Sequence, residues 1–186
     1  MKVSYKVLKK YIPDIKSPET VAQDLIMHTA EVEGIESEAK TFDHIVYGVI
    51  RSVEPHPNAD SLRVCMVDIG ESELSQIVCG GSNLVIGQAV AVAKIGASVL
   101  WHGQGEPVMM KKTAIRGVES SGMICAAEEI GLKDEFPSTD EKEIVDLSHI
   151  AAKAGTPLAE ILGKDDVILE IDNKAINHRP DLFSHI

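Results

Sequence analysis

Residues 56–70 read HPNADSLRVCMVDIG, and the fold turns on how this stretch divides. Pro57, with Pro55 just before it, fixes φ where the chain reverses, and Asp60 can accept from backbone N–H groups ahead of the next element, which is turn chemistry. Leu62 to Ile69 then carries β-branched and apolar residues suited to a strand with one face in a core. The same texture extends on both sides, with strands expected at Ile45 to Val53, Leu62 to Ile69, Gln76 to Cys79, Ala89 to Ala93, and Met109 to Val118 continuing through Met123 to Ala126. Gly80 and Gly81 break the chain after the third. Five or six short strands within about 80 residues predict a closed barrel, because closure removes the edges a small open sheet leaves unpaired.

The flanks have a different pattern. Ser4 can cap a short helix carrying Val7, Leu8 and Tyr11, which Pro13 stops. A second helix starts at Ser17 with Pro18 in its first turn, and Val21, Ala22, Leu25, Ile26 and Met27 supply its apolar side. Glu31 to Glu36 alternates as a short edge strand does. After Gly131, KDEFPSTDEKE (133–143) reads as a solvated loop; pattern resumes at Ile144 to Leu147, with a short helix around Leu158 to Leu162 and a strand from Val167 to Ile171. The expected division is 1–41, an α/β element; 42–150, the barrel; and 151–186, a return segment. Val32 to Ile35 and Val167 to Ile171 are then candidates to pair across the insertion. Asn177 to Ile186 reads as the truncated start of a further region and is expected to be mobile.

The chain has 186 residues, 44% apolar, 25% charged, with a net charge of −11. Such a field repels polyanions, so any nucleic-acid contact must be local. Phe42 to Val118 holds six Lys or Arg against seven Asp or Glu, whereas Glu119 to Ile150 holds two against nine. Cys65, Cys79 and Cys125 form no CxxC pair and read as buried thiols. No apolar run has the length of a membrane span or signal peptide, which implies a cytoplasmic location.

Three blocks in order, HPNADSLRVCMVDIG (56–70), QIVCGGSNLVIGQAVAVAKIGASV (76–99) and MKKTAIRGVESSGMICAAEEIGL (110–132), closely resemble the tRNA-binding domain family. That family occurs in phenylalanyl-tRNA synthetase beta subunits, at the C-terminus of many methionyl-tRNA synthetases and as free-standing proteins. The opening MKVSYKVLKKYI, the VEGIES segment at 32–37 and the tail with Asn177-His178-Arg179-Pro180-Asp181-Leu182 resemble the bacterial phenylalanyl beta subunits specifically. The resemblance implies a fold that is mainly β with an α/β flank: an OB-fold Greek-key barrel inserted into a small α/β element. It further implies an aminoacyl-tRNA synthetase that attaches phenylalanine to tRNA(Phe) with ATP and magnesium, as a heterotetramer of two alpha and two beta subunits. No cofactor or metal site is expected in this stretch, and no catalytic array is legible, so the chain alone is expected to be inactive. The alternatives are a stand-alone or appended tRNA-binding module, and a scaffold element with little RNA contact.

Lys111, Lys112 and Arg116 are the densest basic cluster of the barrel. On one continuous strand Lys112 and Arg116 share a face, and the bland reading is a solvated surface. Ser120-Ser121-Gly122-Met123 forms a turn whose hydroxyls and glycine suit close approach to an RNA backbone. Gly80 to Asn83 reads as a structural turn more than a phosphate nest, and the family pattern keeps its Asn there. The candidate RNA-contacting residues are therefore Lys111, Lys112, Arg116, Ser121, Met123 and Asn83. His56 has no partner at metal-ligand spacing. With Trp101 the only tryptophan, a base-stacking platform is poorly supported.

Overall fold

The computed structural model describes residues 1–140 and 142–172. In chain order the elements are β1 (Lys2–Ser4), α1 (Tyr5–Tyr11), α2 (Pro18–His28), β2 (Glu31–Ser37), β3 (Ile45–His56), β4 (Ala59–Asp68), β5 (Ser75–Cys79), β6 (Ala89–Lys94), β7 (Ser98–Leu100), β8 (Pro107–Met109), β9 (Thr113–Ile115), β10 (Val118–Ser120), β11 (Gly122–Ile124), α3 (Leu158–Ile161) and β12 (Val167–Asp172). They fall into two compact units: Met1–Lys40 with the chain from Gly163 onward, and Thr41–Leu162.

In the first unit Ser4 caps α1 by accepting from the Val7 N–H, and Ser17 caps α2 by accepting from the Thr20 N–H. Both caps satisfy an orphan donor of the first turn. The sheet is antiparallel in the order β1-β12-β2, and the expected pairing is present, with Leu169 opposite Ile35 and Ile171 opposite Val32. Leu8 of α1 and Val21, Ala22 and Leu25 of α2 pack with Ala30, Leu169 and Ile171. The apolar side of α2 is narrower than expected: Ile26 and Met27 are 55% and 72% exposed. At about 100° per residue Ile26 falls just past the edge of the stripe set by positions 21, 22 and 25, and Met27 falls on the opposite face.

The second unit is a five-stranded antiparallel sheet, β11-β6-β3-β4-β5, rolled into an OB-type barrel. The twelve-residue β3 serves both halves, pairing β6 through Ile45 to Val49 and β4 from Val49 onward, with an irregularity between Ile50 and Ser52. Such bulges bend a strand and increase its twist. At the bend Gly48 has no room for a side chain: a Cβ there would stand 2.6 Å from Val92 Cγ2. The barrel closes where the Ser121 N–H donates to Gln76 O (2.9 Å) and the Val78 N–H donates to Ser120 Oγ (3.0 Å). Ile50, Cys65, Val67, Ile77, Val90, Val92 and Ile124 fill the interior.

Two readings are corrected here. The strand expected from Met109 to Val118 is not continuous. β8 ends at Met109, and Arg116 and Gly117 form a two-residue hairpin turn between β9 and β10, with φ of 47° and 89°. Left-handed conformation at both central positions gives the twist that a tight hairpin needs. Second, residues 151–162 lie with the barrel, not with the return segment: the Tyr47 N–H donates to Thr156 O, the Gly155 N–H donates to Tyr47 O, and Leu158 is fully buried. The tail Asn177 to Ile186 lies outside the described residues.

Candidate nucleic-acid interface

The β9–β10 hairpin is docked on the turn between β3 and β4, and one buried histidine makes the joint. His56 is 5% exposed. Its Nδ1 accepts from the Asn58 N–H at 3.0 Å, and its Nε2 lies 3.0 Å from Ile115 O. A backbone N–H can only donate, so Nδ1 carries the lone pair and the ring proton sits on Nε2, pointing at Ile115 O. Asn58 adds a second tie, its Nδ2 donating to Arg116 O at 3.0 Å. The HPN turn thus holds the main chain of the hairpin tip on both sides of Arg116.

Arg116 is exposed at that tip, and its Nη1 reaches Asn58 O at 3.5 Å. Its left-handed backbone is uncommon for a residue other than Gly, Asn or Asp. Lys112 precedes β9 at the hairpin's base and Arg116 sits in the turn beyond β9, so the two do not share a strand face. Lys112 is also ion-paired with Glu119 at 3.1 Å, both groups being exposed, where such pairs contribute little. Lys111 is exposed and makes no ion pair among the described residues.

The other candidates lie elsewhere on the barrel. Asn83 uses both ends of its amide on Ile144, accepting from its N–H at 2.9 Å and donating to its carbonyl at 3.1 Å. Ser121 and Met123 are half-buried along the closing seam. The hydroxyl that works there belongs to buried Ser120, which accepts from the Val78 N–H and donates to Gly122 O. The Gly80 to Asn83 turn spends its Gly81 and Ser82 N–H groups on Cys79 Sγ and Lys142 O, so no anion nest forms there. Trp101 is exposed and stands edge-on to His102, ring centroids 5.5 Å apart.

Sequence reasoning gave His56 and Asn58 to the turn alone and missed that they hold the hairpin. The Arg-Gly pair between TAI and VES was the available signal for that hairpin.

Burial pushes the Cys65 thiol up to about 12 and raises those of Cys79 and Cys125, which leaves them protonated and unsuited to nucleophilic or ligand roles. An open cavity of about 260 Å³ lies beside the 133–143 loop, lined in part by Glu135, Glu143 and Asp146; its charge opposes a phosphate chain. Among the described residues no group of three or more His, Cys, Asp or Glu could hold a metal ion, and no helix is long and apolar enough to cross a membrane.

The OB-type barrel places the chain in a known class, and the chain belongs to the putative tRNA-binding domain family, whose model matches residues 45–157. The resemblance to a particular member holds along the whole chain. It is 42% identical over 187 residues to the phenylalanine--tRNA ligase beta subunit of Chlorobaculum tepidum and 40% identical over 187 residues to that of Oceanobacillus iheyensis, covering 100% and 99% of this chain. The chain spans 22% of the length of each of these relatives. Among solved structures, a MetRS-related protein from Pyrococcus horikoshii is similar at 16% identity and a TM-score of 0.41, over 61% of this chain and 87% of that one.

Proposed function

We propose that this chain is the tRNA-contacting region of a phenylalanine--tRNA ligase beta subunit, and that its barrel binds tRNA(Phe) by phosphate contact rather than by base readout. The observation that carries the reading is double. The tRNA-binding family's match covers the barrel, while the flanks outside it match beta subunits at about 40% identity along with the rest. The parent enzyme joins phenylalanine to tRNA with ATP and magnesium in the cytoplasm, and the beta subunit assembles with an alpha subunit as two of each. The described residues offer no metal-binding cluster and no Gly-rich loop leading into a helix, so no step of that chemistry is assigned to them. Their part is to hold tRNA and to build the subunit.

The net charge of −11 opposes a polyanion over the whole molecule, so few phosphates are expected to be contacted. Each neutralised phosphate contributes a slope of about −0.7 to −0.9 in log K against log salt. With two or three contacts, affinity should fall roughly 10- to 40-fold between 50 and 200 mM salt. Titrating labelled tRNA(Phe) with the 186-residue chain at both salt levels tests this. Saturable binding with that slope supports the reading. Absence of binding at 50 mM salt would favour a scaffold role for the barrel, a reading already encouraged by the Lys112–Glu119 ion pair. The chain alone should show no aminoacylation, pyrophosphate exchange or editing; turnover surviving controls for host enzyme would refute that.

A further inference from the structure

We propose that Arg63 and Arg116 together form a two-guanidinium phosphate seat over the β3–β4 turn, which takes a phosphodiester of the RNA backbone; this rests on the RNA-binding reading above and names its site. The described residues include three arginines. Arg51 is committed to Asp68 at 2.7 Å. Arg63 and Arg116 make no ion pair, and each is bonded only to main-chain carbonyls of one turn. Arg63 Nη1 donates to Asp60 O at 2.9 Å and to Leu62 O at 3.0 Å, and Arg116 Nη1 donates to Asn58 O at 3.5 Å. Asn58 and Asp60 are two residues apart, where the β3–β4 turn passes into the irregular start of β4. Both guanidinium groups are thereby anchored on carbonyls of one turn.

The bonded atom is Nη1 in both residues. What remains on each is the Nε–Nη2 edge, the fork that matches two oxygens of a phosphate. A purely structural duty explains only half of Arg63. Pairing jumps from His56–Ala59 to Pro55–Arg63, leaving Asp60, Ser61 and Leu62 as a bulge, and Nη1 alone pins that bulge. A lysine ammonium could donate to the same two carbonyls; the unused planar edge is what arginine adds. On the other side, Arg116 occupies a left-handed turn position with φ of 47°, where Asn, Asp or Gly is at ease. Retaining arginine there has a conformational cost, and such outliers concentrate where a side chain must be presented. The presentation is rigid, since Asn58 Nδ2 and the His56 ring fix the main chain on either side of it. Asp60 is the one carboxylate in the turn. It makes no ion pair with either arginine, so its charge opposes an incoming anion without occupying the seat.

The test uses the whole 186-residue chain and two probes, labelled tRNA(Phe) and inorganic phosphate. Arg63→Lys and Arg116→Lys keep a donor for the turn carbonyls and lose the fork. Each should weaken tRNA about tenfold with the melting temperature nearly unchanged. The double variant should lose clearly less than the product of the two, because a shared phosphate couples them. Asp60→Asn should tighten binding severalfold. If tRNA binds and Arg63→Lys matches the parent while Arg116→Lys is impaired, the shared seat is refuted and the RNA-binding reading survives. If tRNA does not bind, phosphate decides. Selective shifts of the Arg63 and Arg116 Nε signals on titration at constant ionic strength keep the seat and discard tRNA as its ligand, and no shift discards both.

Discussion

Replacing His56 by alanine should loosen the barrel at one joint, by an amount the structure fixes fairly closely. The ring is 5% exposed and makes two hydrogen bonds, one from the Asn58 N–H and one to Ile115 O. Asn58 is exposed, so water can replace its partner and that loss is worth about 0.5–1 kcal/mol. The Ile115 carbonyl is on a half-buried residue, and leaving it unsatisfied costs about 1–2 kcal/mol. The lost ring contacts add about 1 kcal/mol. Together the change is about 2.5–4 kcal/mol, large against the usual total for a domain. Urea unfolding followed by tyrosine and tryptophan fluorescence gives the global value, and amide exchange at Ile115, Gly117 and Val118 reports the hairpin itself. His56→Gln, which retains a donor and an acceptor, should recover part of the loss. A destabilisation below about 0.5 kcal/mol, or hairpin exchange no faster in His56→Ala than in the parent, would refute the role of the ring as the joint.

Three further outcomes follow from the same geometry. Lys112→Ala should change tRNA affinity less than twofold, since the exposed ammonium is already compensated by Glu119; a loss near that of an Arg116 variant would show that the pair opens to receive RNA. Asn83→Ala removes both bonds to Ile144 and should cost about 2 kcal/mol in urea unfolding, with tRNA affinity of the folded protein unchanged. Burial raises the Glu129 carboxyl above its ordinary value of 4.5, against the Ala126 N–H that favours its charged form. A carboxyl raised on folding binds more protons in the native state, so it subtracts stability as pH climbs from about 4.5 through the raised value. Glu129→Gln should therefore raise Tm at pH 7, and the advantage should vanish below pH 4.5; equal Tm at pH 7 would contradict it.

Much of the barrel was legible because its strands are short, β-branched runs punctuated by Gly and Pro; β2 was legible by its alternation and β12 as a short apolar, β-branched run. The caps at Ser4 and Ser17 were readable because they are local. What escaped depended on partners distant in sequence or on conformation rather than composition. A continuous strand through Arg116 fits the hydrophobic pattern well, and only the left-handed pair Arg116-Gly117 breaks it. Residues 151–162 carry no barrel signature of their own; they are held by Tyr47, about a hundred residues earlier, with the Tyr47 hydroxyl donating to Ile150 O. The site suffered most. Lysine and arginine density singled out the segment around Arg116 without showing its hairpin, Asn83 is bonded to Ile144 through both ends of its amide, and His56 was legible only as part of a turn. Its true partner is Ile115 O, 59 residues away.

The strand order β1-β12-β2 has a consequence for biosynthesis. The middle strand is the last of the three to be made, so β1 and β2 leave the ribosome with no partner between them. The 130 residues from Ser37 to Val167 take roughly 6–26 s to translate at 5–20 residues per second. Throughout that interval the two outer strands stay open-edged. An exposed strand edge invites pairing with other chains, and Val32 and Ile35 are the apolar residues at risk. Nascent chains stalled before Val167 should therefore recruit chaperones at their N-terminus.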